Sequence, residues 1–142
     1  MVMDLIAAEQ RHIDLVLATG DLSQDGSSES YNRFHQHMEA FACPVYWLPG
    51  NHDLTDMMAN HQVAKRMSPC VIPLNGWHII MLDSTIRGKV PGNFADSELV
   101  FLQQALQQSA GNNVLIALHH QPVPVGSEWL DQQIVGNAAE FF

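Results

Sequence analysis

Three short polar segments of this chain carry carboxylate, amide and imidazole side chains. They are Thr19-Gly20-Asp21, Leu48-Pro49-Gly50-Asn51-His52-Asp53 and His119-His120-Gln121-Pro122. Asp and Asn oxygens and His nitrogens are ligands that suit hard and borderline divalent metals. An imidazole such as that of His52 can also exchange a proton near neutral pH. These residue types therefore favour the binding of a divalent metal ion.

Each polar segment directly follows an apolar run, and the three runs are residues 13–18, 45–48 and 113–118. Such runs, closed by a polar turn, predict buried strands. Parallel strands of an open α/β sheet end at one edge, where ligands bind. We therefore expect Asp21, Asn51 and His52 to lie within reach of one another, with one of the two histidines of the third segment beside them.

The rest of the chain alternates between predicted helices and strands. Helices are predicted for residues 2–10, 28–41 and 54–67 and for a segment that begins at Asp96 and ends within residues 109–112, and a further strand is predicted for residues 77–82. This βαβ alternation predicts an α/β fold in which helices cover the sheets. With 46% hydrophobic residues, residues 1–142 can form a single domain with a real core.

The charge, the apolar run lengths and the cysteine content of the chain argue against some classes of partner. The formal net charge is −9 with only six Lys and Arg residues, which argues against nucleic acid as a partner. No apolar run reaches the length of a membrane span. Cys43 and Cys70 show no ligand spacing, and two free thiols are typical of a reducing cytoplasm. We therefore expect a cytoplasmic protein without a membrane partner.

The three segments, in this order and each after a strand, resemble the motifs of the calcineurin-like metallophosphoesterases. The match narrows to the bacterial class III 3′,5′-cyclic-AMP phosphodiesterase branch. It is carried by residues 17–27 and 44–53, Leu82-Asp83-Ser84, His119-His120-Gln121-Pro122, Gly126 and Trp129-Leu130-Asp131. The resemblance implies the sandwich fold of that family, and it covers residues 14–137.

The resemblance also implies a role for individual residues. Asp21 would bridge two metal ions, and Asn51 and His120 would bind the second one. His120 stands at the His-x-Pro position, and His119 is the second choice for the same ligand. Asn51 and His52 would contact the substrate, and His52 would protonate the departing oxygen. Asp53 could orient His52 or cap the following helix, and both interpretations stay open.

The activity implied is hydrolysis of 3′,5′-cyclic AMP to 5′-AMP by a hydroxide shared between two divalent ions, which could be Fe, Mn, Mg, Zn or Co. A related phosphodiester is the alternative substrate. The family's Asp-x-His and Gly-His-x-His motifs are absent from residues 1–142. We therefore expect a middle fragment, truncated at both ends, with partial or no metal occupancy. This fragment could also be inactive, or form a homodimer through an exposed sheet edge.

Overall fold

A computed structural model of the protein describes residues 5, 6, 8, 12–59 and 66–142. The strands are β1 (Val16–Thr19), β2 (Val45–Leu48), β3 (Cys70–Leu74), β4 (Trp77–Met81) and β5 (Asn113–Ala117). The helices are α1 (Ser28–Met38), α2 (Thr55–Ala59) and α3 (Asp96–Gln108), and short 3₁₀ turns cover Leu130–Gln132 and Ala138–Glu140. The helix predicted for residues 2–10 and the second half of the one predicted for 54–67 lie largely outside the described residues.

The predicted α/β fold is confirmed, and the strands divide into two sheets. In the first, β1 pairs with β2 in parallel, with Thr19 opposite Leu48. In the second, β4 lies between β3 and β5, antiparallel to the former and parallel to the latter. The chain crosses from β1 to β2 through α1 and from β4 to β5 through α3, so each sheet contains one βαβ unit.

Strand β3 is an element that the sequence prediction did not include. It joins β4 through Asn75 and Gly76, whose φ angles are 45° and 83°. Positive φ at both central residues is the mark of the tight hairpin turn that Asn-Gly favours, because this turn matches the twist of the flanking strands. The signal was therefore present in the sequence.

Helix α1 is held at both its start and its inner face. The Ser27 side chain accepts a hydrogen bond from the Ser30 amide and so caps the first turn. On the inner face, Tyr31 is fully buried and meets Trp47 edge-on, with ring centroids 6.5 Å apart, and Phe34 stacks on the same indole at 5.3 Å. This packing fixes α1 against β2.

A shared apolar cluster joins the two sheets. Leu48 of β2 packs with Ile72 of β3 and with Ile79 and Met81 of β4, and all four are buried. A second cluster lies between α3 and the second sheet, around Ile80, Leu82, Phe94 and Leu102. Because the sheets share one core, the residues that follow β2 and β5 come together in space. Within the described residues, no helix is long and apolar enough to span a membrane.

Candidate metal centre

The two parallel strands of the first sheet end side by side. Thr19 pairs with Leu48, so the turns that carry Asp21 and Asn51 are neighbours. Asp21 adopts a φ of 52°, which is uncommon for a residue with a side chain. A Cβ atom on Gly50 would lie 2.8 Å from His119 Cε1 and would overlap the Asp21 backbone and carboxylate. Gly50 is therefore needed for the close approach of the three segments.

His119 reaches this corner from the second sheet. Its Nδ1 atom lies 3.0 Å from the carbonyl oxygen of Thr19. Its Nε2 atom lies 3.3 Å from Asn51 Oδ1 and 3.6 Å from Asp21 Oδ1. A carbonyl oxygen only accepts, so Nδ1 carries the proton of the neutral ring and Nε2 presents a lone pair.

This arrangement fits a cation. With the His119 ring neutral, the lone pair of Nε2 faces two oxygens that also carry lone pairs, so a cation bound between them would be coordinated by all three atoms. Metal-binding histidines characteristically donate their other N–H to a carbonyl or carboxylate, as His119 does to Thr19. Among the described residues no three His, Cys, Asp or Glu side chains form a metal-binding group. The amide of Asn51 provides the third donor here.

The structure differs from the expectation for His120. The His120 ring is buried, with Nδ1 2.9 Å from Ser84 Oγ and Nε2 3.0 Å from the Val90 carbonyl. Nε2 must donate to that carbonyl, so Nδ1 accepts from the Ser84 hydroxyl. Both ring nitrogens are thus engaged by protein groups, and burial together with His119 lowers the pKa of His120. The second-choice histidine, His119, is the one beside Asp21 and Asn51.

His52 lies at the same corner but faces solvent. Its backbone N–H donates to Asp21 Oδ1 at 3.1 Å. Its ring Nδ1 lies 3.1 Å from the amide nitrogen of Gln24. An amide NH₂ only donates, so Nδ1 accepts and the ring proton is on Nε2. His52 therefore has an N–H to offer to a bound oxygen, and Gln24 is a contact that the sequence did not reveal.

Asp53 has a role that neither sequence interpretation included. Its buried carboxylate accepts hydrogen bonds from the amides of Leu22, Ser23 and Gly50 and from the Tyr31 hydroxyl, at 2.9 to 3.1 Å. These donors come from both metal-site turns and from α1. Asp53 thus holds the Asp21 turn, the Asn51 turn and the helix together.

The turn after β4 supports the second sheet's side of the site. Asp83 accepts hydrogen bonds from the amide and the hydroxyl of Thr85 and so caps this turn. The Asp83 amide donates to Glu98 of α3 at 3.0 Å. Burial raises the pKa of Glu98, and the charge of Asp83 raises it further.

A cavity of about 460 Å³ opens over these side chains, within the size range of small-molecule sites. Its lining includes Asp21, Asn51, His52 and His119. It also includes Val90, Trp129 and Leu130. Polar groups with the chemistry of metal ligands and apolar groups thus line one cavity of a size that suits a small molecule.

Such a fold and such a site define the class of metal-dependent phosphoesterases, and comparison with known proteins agrees. Residues 1–141 match the family described as calcineurin-like phosphoesterase. The chain belongs to the calcineurin-like phosphoesterase family. Members of this family use divalent metal ions.

Named relatives are cyclic-nucleotide enzymes. The chain is 40% identical over 130 residues to the 3′,5′-cyclic adenosine monophosphate phosphodiesterase CpdA of Pseudomonas aeruginosa, covering 92% of this chain and 48% of the relative. It is 38% identical over 141 residues to CpdA of Escherichia coli K12, covering 98% and 51%. It is 36% identical over 145 residues to the 3′,5′-cyclic-nucleotide phosphodiesterase alr5338 of Nostoc sp. PCC 7120, covering 99% and 53%. The chain spans about half the length of these relatives.

Proposed function

We propose that the complete protein is a metal-dependent phosphodiesterase that hydrolyses 3′,5′-cyclic AMP to 5′-AMP. The observation that carries this proposal is the convergence of three side chains, in which His119 Nε2 lies 3.3 Å from Asn51 Oδ1 and 3.6 Å from Asp21 Oδ1. The identity to cyclic-AMP phosphodiesterases over nearly the whole chain supports the substrate. The free thiols of Cys43 and Cys70 support a cytoplasmic location.

The three donors would hold the divalent metal. Asp21 offers a carboxylate, Asn51 an amide oxygen and His119 a ring nitrogen kept in the correct tautomer by Thr19. This mixed set accepts Fe, Mn, Zn or Co and, through its oxygens, Mg. Bound divalent ions would neutralise phosphate oxygens and lower the pKa of water from 15.7 to about 7, so no side-chain base is needed.

His52 would act on the leaving group. Its Nε2 carries the proton because Nδ1 accepts from Gln24, and the ring is exposed to the cavity. As an imidazolium, His52 would donate its Nε2 proton to the departing 3′-oxygen as the ester bond breaks, which leaves a neutral ring and a hydroxyl leaving group.

The test is to compare His52→Ala with Asp21→Ala in the complete protein. We expect His52→Ala to lower kcat for cyclic AMP by about 10²- to 10⁴-fold and to leave the metal content unchanged, because only proton transfer is lost. Asp21→Ala should abolish both activity and metal binding. Metal content by plasma emission spectrometry and turnover by 5′-AMP formation provide the two measurements.

His12→Ala and Asp14→Ala are matched controls. Both side chains are exposed, at 87% and 52%, and neither lines the cavity. We expect both controls to keep wild-type turnover and metal content. If His52→Ala loses metal as completely as Asp21→Ala, His52 is a ligand and its assignment as an acid is wrong. If the metal-loaded wild type does not hydrolyse cyclic AMP, the proposed substrate is wrong.

A further inference from the structure

Trp129 is a large apolar side chain that the fold leaves in water. Trp129 is 69% exposed, and Val90 and Leu130, which line the same cavity, are 50% and 38% exposed. An exposed apolar group of this size is informative because burial of an indole is normally favourable. Asp21, Asn51 and His52 line this cavity as well. The apolar side chains therefore belong to the same cavity as the candidate metal-site residues.

The turn that presents Trp129 is held in place by several hydrogen bonds. The Asp131 carboxylate accepts from the amides of Val125 and Gly126, at 2.8 and 3.1 Å. The Asp131 amide donates to the carbonyl of Ser127 at 2.8 Å. From the metal-site segment, the Gln121 side chain donates to the Leu130 carbonyl at 2.9 Å. The indole is thus displayed on a fixed support, which lowers the entropy lost when a ligand binds.

We propose that Trp129 stacks on the nucleobase of the substrate while the phosphate group of the same substrate lies over Asp21, Asn51 and His119. This inference rests on the proposed function and extends it to the other end of the substrate. Indole stacking suits a nucleobase because every base has a flat π-face, and it gives affinity with little preference among bases. Trp129 therefore recognises the presence of a base and not its identity.

The test compares two substrates in the complete, metal-loaded protein. The first is cyclic AMP, and the second is ribose 3′,5′-cyclic phosphate that lacks a base. We expect Trp129→Ala to lower kcat/KM for cyclic AMP roughly 5- to 100-fold, the range that stacking of one base supports. The loss should appear mainly in KM, because the stack forms equally in the ground and transition states. The baseless substrate should react at the wild-type rate.

Matched variants separate stacking from folding. Trp129→Phe keeps an aromatic face and should recover most of the kcat/KM for cyclic AMP. Trp77→Ala removes another exposed tryptophan, which is 47% exposed and lies at the start of β4 outside the cavity lining. It should leave both substrates unaffected. Cyclic GMP should lose reactivity in Trp129→Ala by a factor similar to that of cyclic AMP.

Three results would overturn the inference. These are an equal loss for both substrates in Trp129→Ala, no loss for cyclic AMP, and failure of Trp129→Phe to recover activity. If the wild type hydrolyses neither substrate, the proposed function fails. A binding measurement then decides whether Trp129 stacks on the base. Cyclic AMP added to the chelator-treated protein should quench tryptophan fluorescence in the wild type and in Trp77→Phe, and not in Trp129→Phe. Equal quenching in all three proteins would show that Trp129 does not meet the base.

Discussion

Replacement of Asp53 by Asn tests whether one buried carboxylate holds the two metal-site turns together. Oδ1 accepts from the Ser23 amide and the Tyr31 hydroxyl, and Oδ2 accepts from the amides of Leu22 and Gly50. In Asn one of these oxygens becomes an NH₂ group that faces two donors. The substitution therefore removes two of the four hydrogen bonds and the charge that strengthens the other two.

The magnitude follows from these bonds. A hydrogen bond to a charged group contributes about 1.5–3 kcal/mol, and an unpaired buried donor costs about as much. Loss of two such bonds predicts a decrease of about 3–6 kcal/mol in the free energy of unfolding. Domains of this kind are stable by about 5–15 kcal/mol, so the urea midpoint should be much lower. Metal affinity should fall as well, because Leu22 and Gly50 adjoin the proposed ligands Asp21 and Asn51.

Urea titration followed by tryptophan fluorescence measures the first effect, and metal titration measures the second. Asp25→Asn is the matched control, because Asp25 lies in the loop after β1 that Asp53 contacts but is itself exposed. Among the described residues its carboxylate bonds to Ser23, Ser27 and Ser30. It should destabilise the protein less than Asp53→Asn. An unfolding free energy for Asp53→Asn within about 1 kcal/mol of the wild type would refute the bracing role.

Three further predictions concern the histidine pair, the buried acid and the sheet edge. His119→Ala should abolish metal binding with little loss of stability in the metal-free protein. His120→Ala should lower the melting temperature of the metal-free protein, because the Ser84 hydroxyl loses its acceptor and the Val90 carbonyl loses its donor. The reverse pattern would restore His120 as the proposed ligand. Burial raises the pKa of Glu98 from its ordinary 4.5, so ionisation of this side chain opposes folding. The stability of the wild type relative to Glu98→Gln should therefore decrease as the pH rises above about 4.5. A stability difference that does not change with pH in urea titrations would contradict this. Within the described residues β1 pairs only with β2, so its other edge has no partner strand there. We expect the 142-residue chain to self-associate through this edge of β1. A monomer mass by light scattering would exclude it.

Local sequence patterns predicted the strands and turns that carry the site but not every contact within it. β1, β2, β4 and β5 were predictable because each is an apolar run that a polar turn closes. Strand β3 was not predicted because Pro73 interrupts its apolar run. Proline is tolerated there because, among the described residues, β3 pairs only with β4. Only the Asn-Gly pair after it indicated a hairpin.

The ligand histidine could not be chosen from the sequence. Neighbouring side chains at a strand end point to different sides, so His119 and His120 have different environments, but the side that faces the first sheet depends on how the two sheets pack. The Thr19 carbonyl and the Ser84 hydroxyl, which separate the two rings, come from distant parts of the chain. The same is true of Asp53, whose donors lie up to 31 residues away. Such contacts are tertiary and leave no local pattern.

Because the two sheets share one core, metal affinity and global stability are thermodynamically coupled, and each increases when the other does. Asp21 and Asn51 follow strands of the first sheet, and His119 follows β5 of the second. A metal held by all three would act as a cross-link between the sheets and stabilise the native state by mass action. By the same linkage, a cavity created at Ile72 or Ile79, neither of which lines the site, would weaken metal binding by loosening the contact between the sheets. Sequence variation in this core could therefore tune the metal requirement of the protein without altering a single ligand.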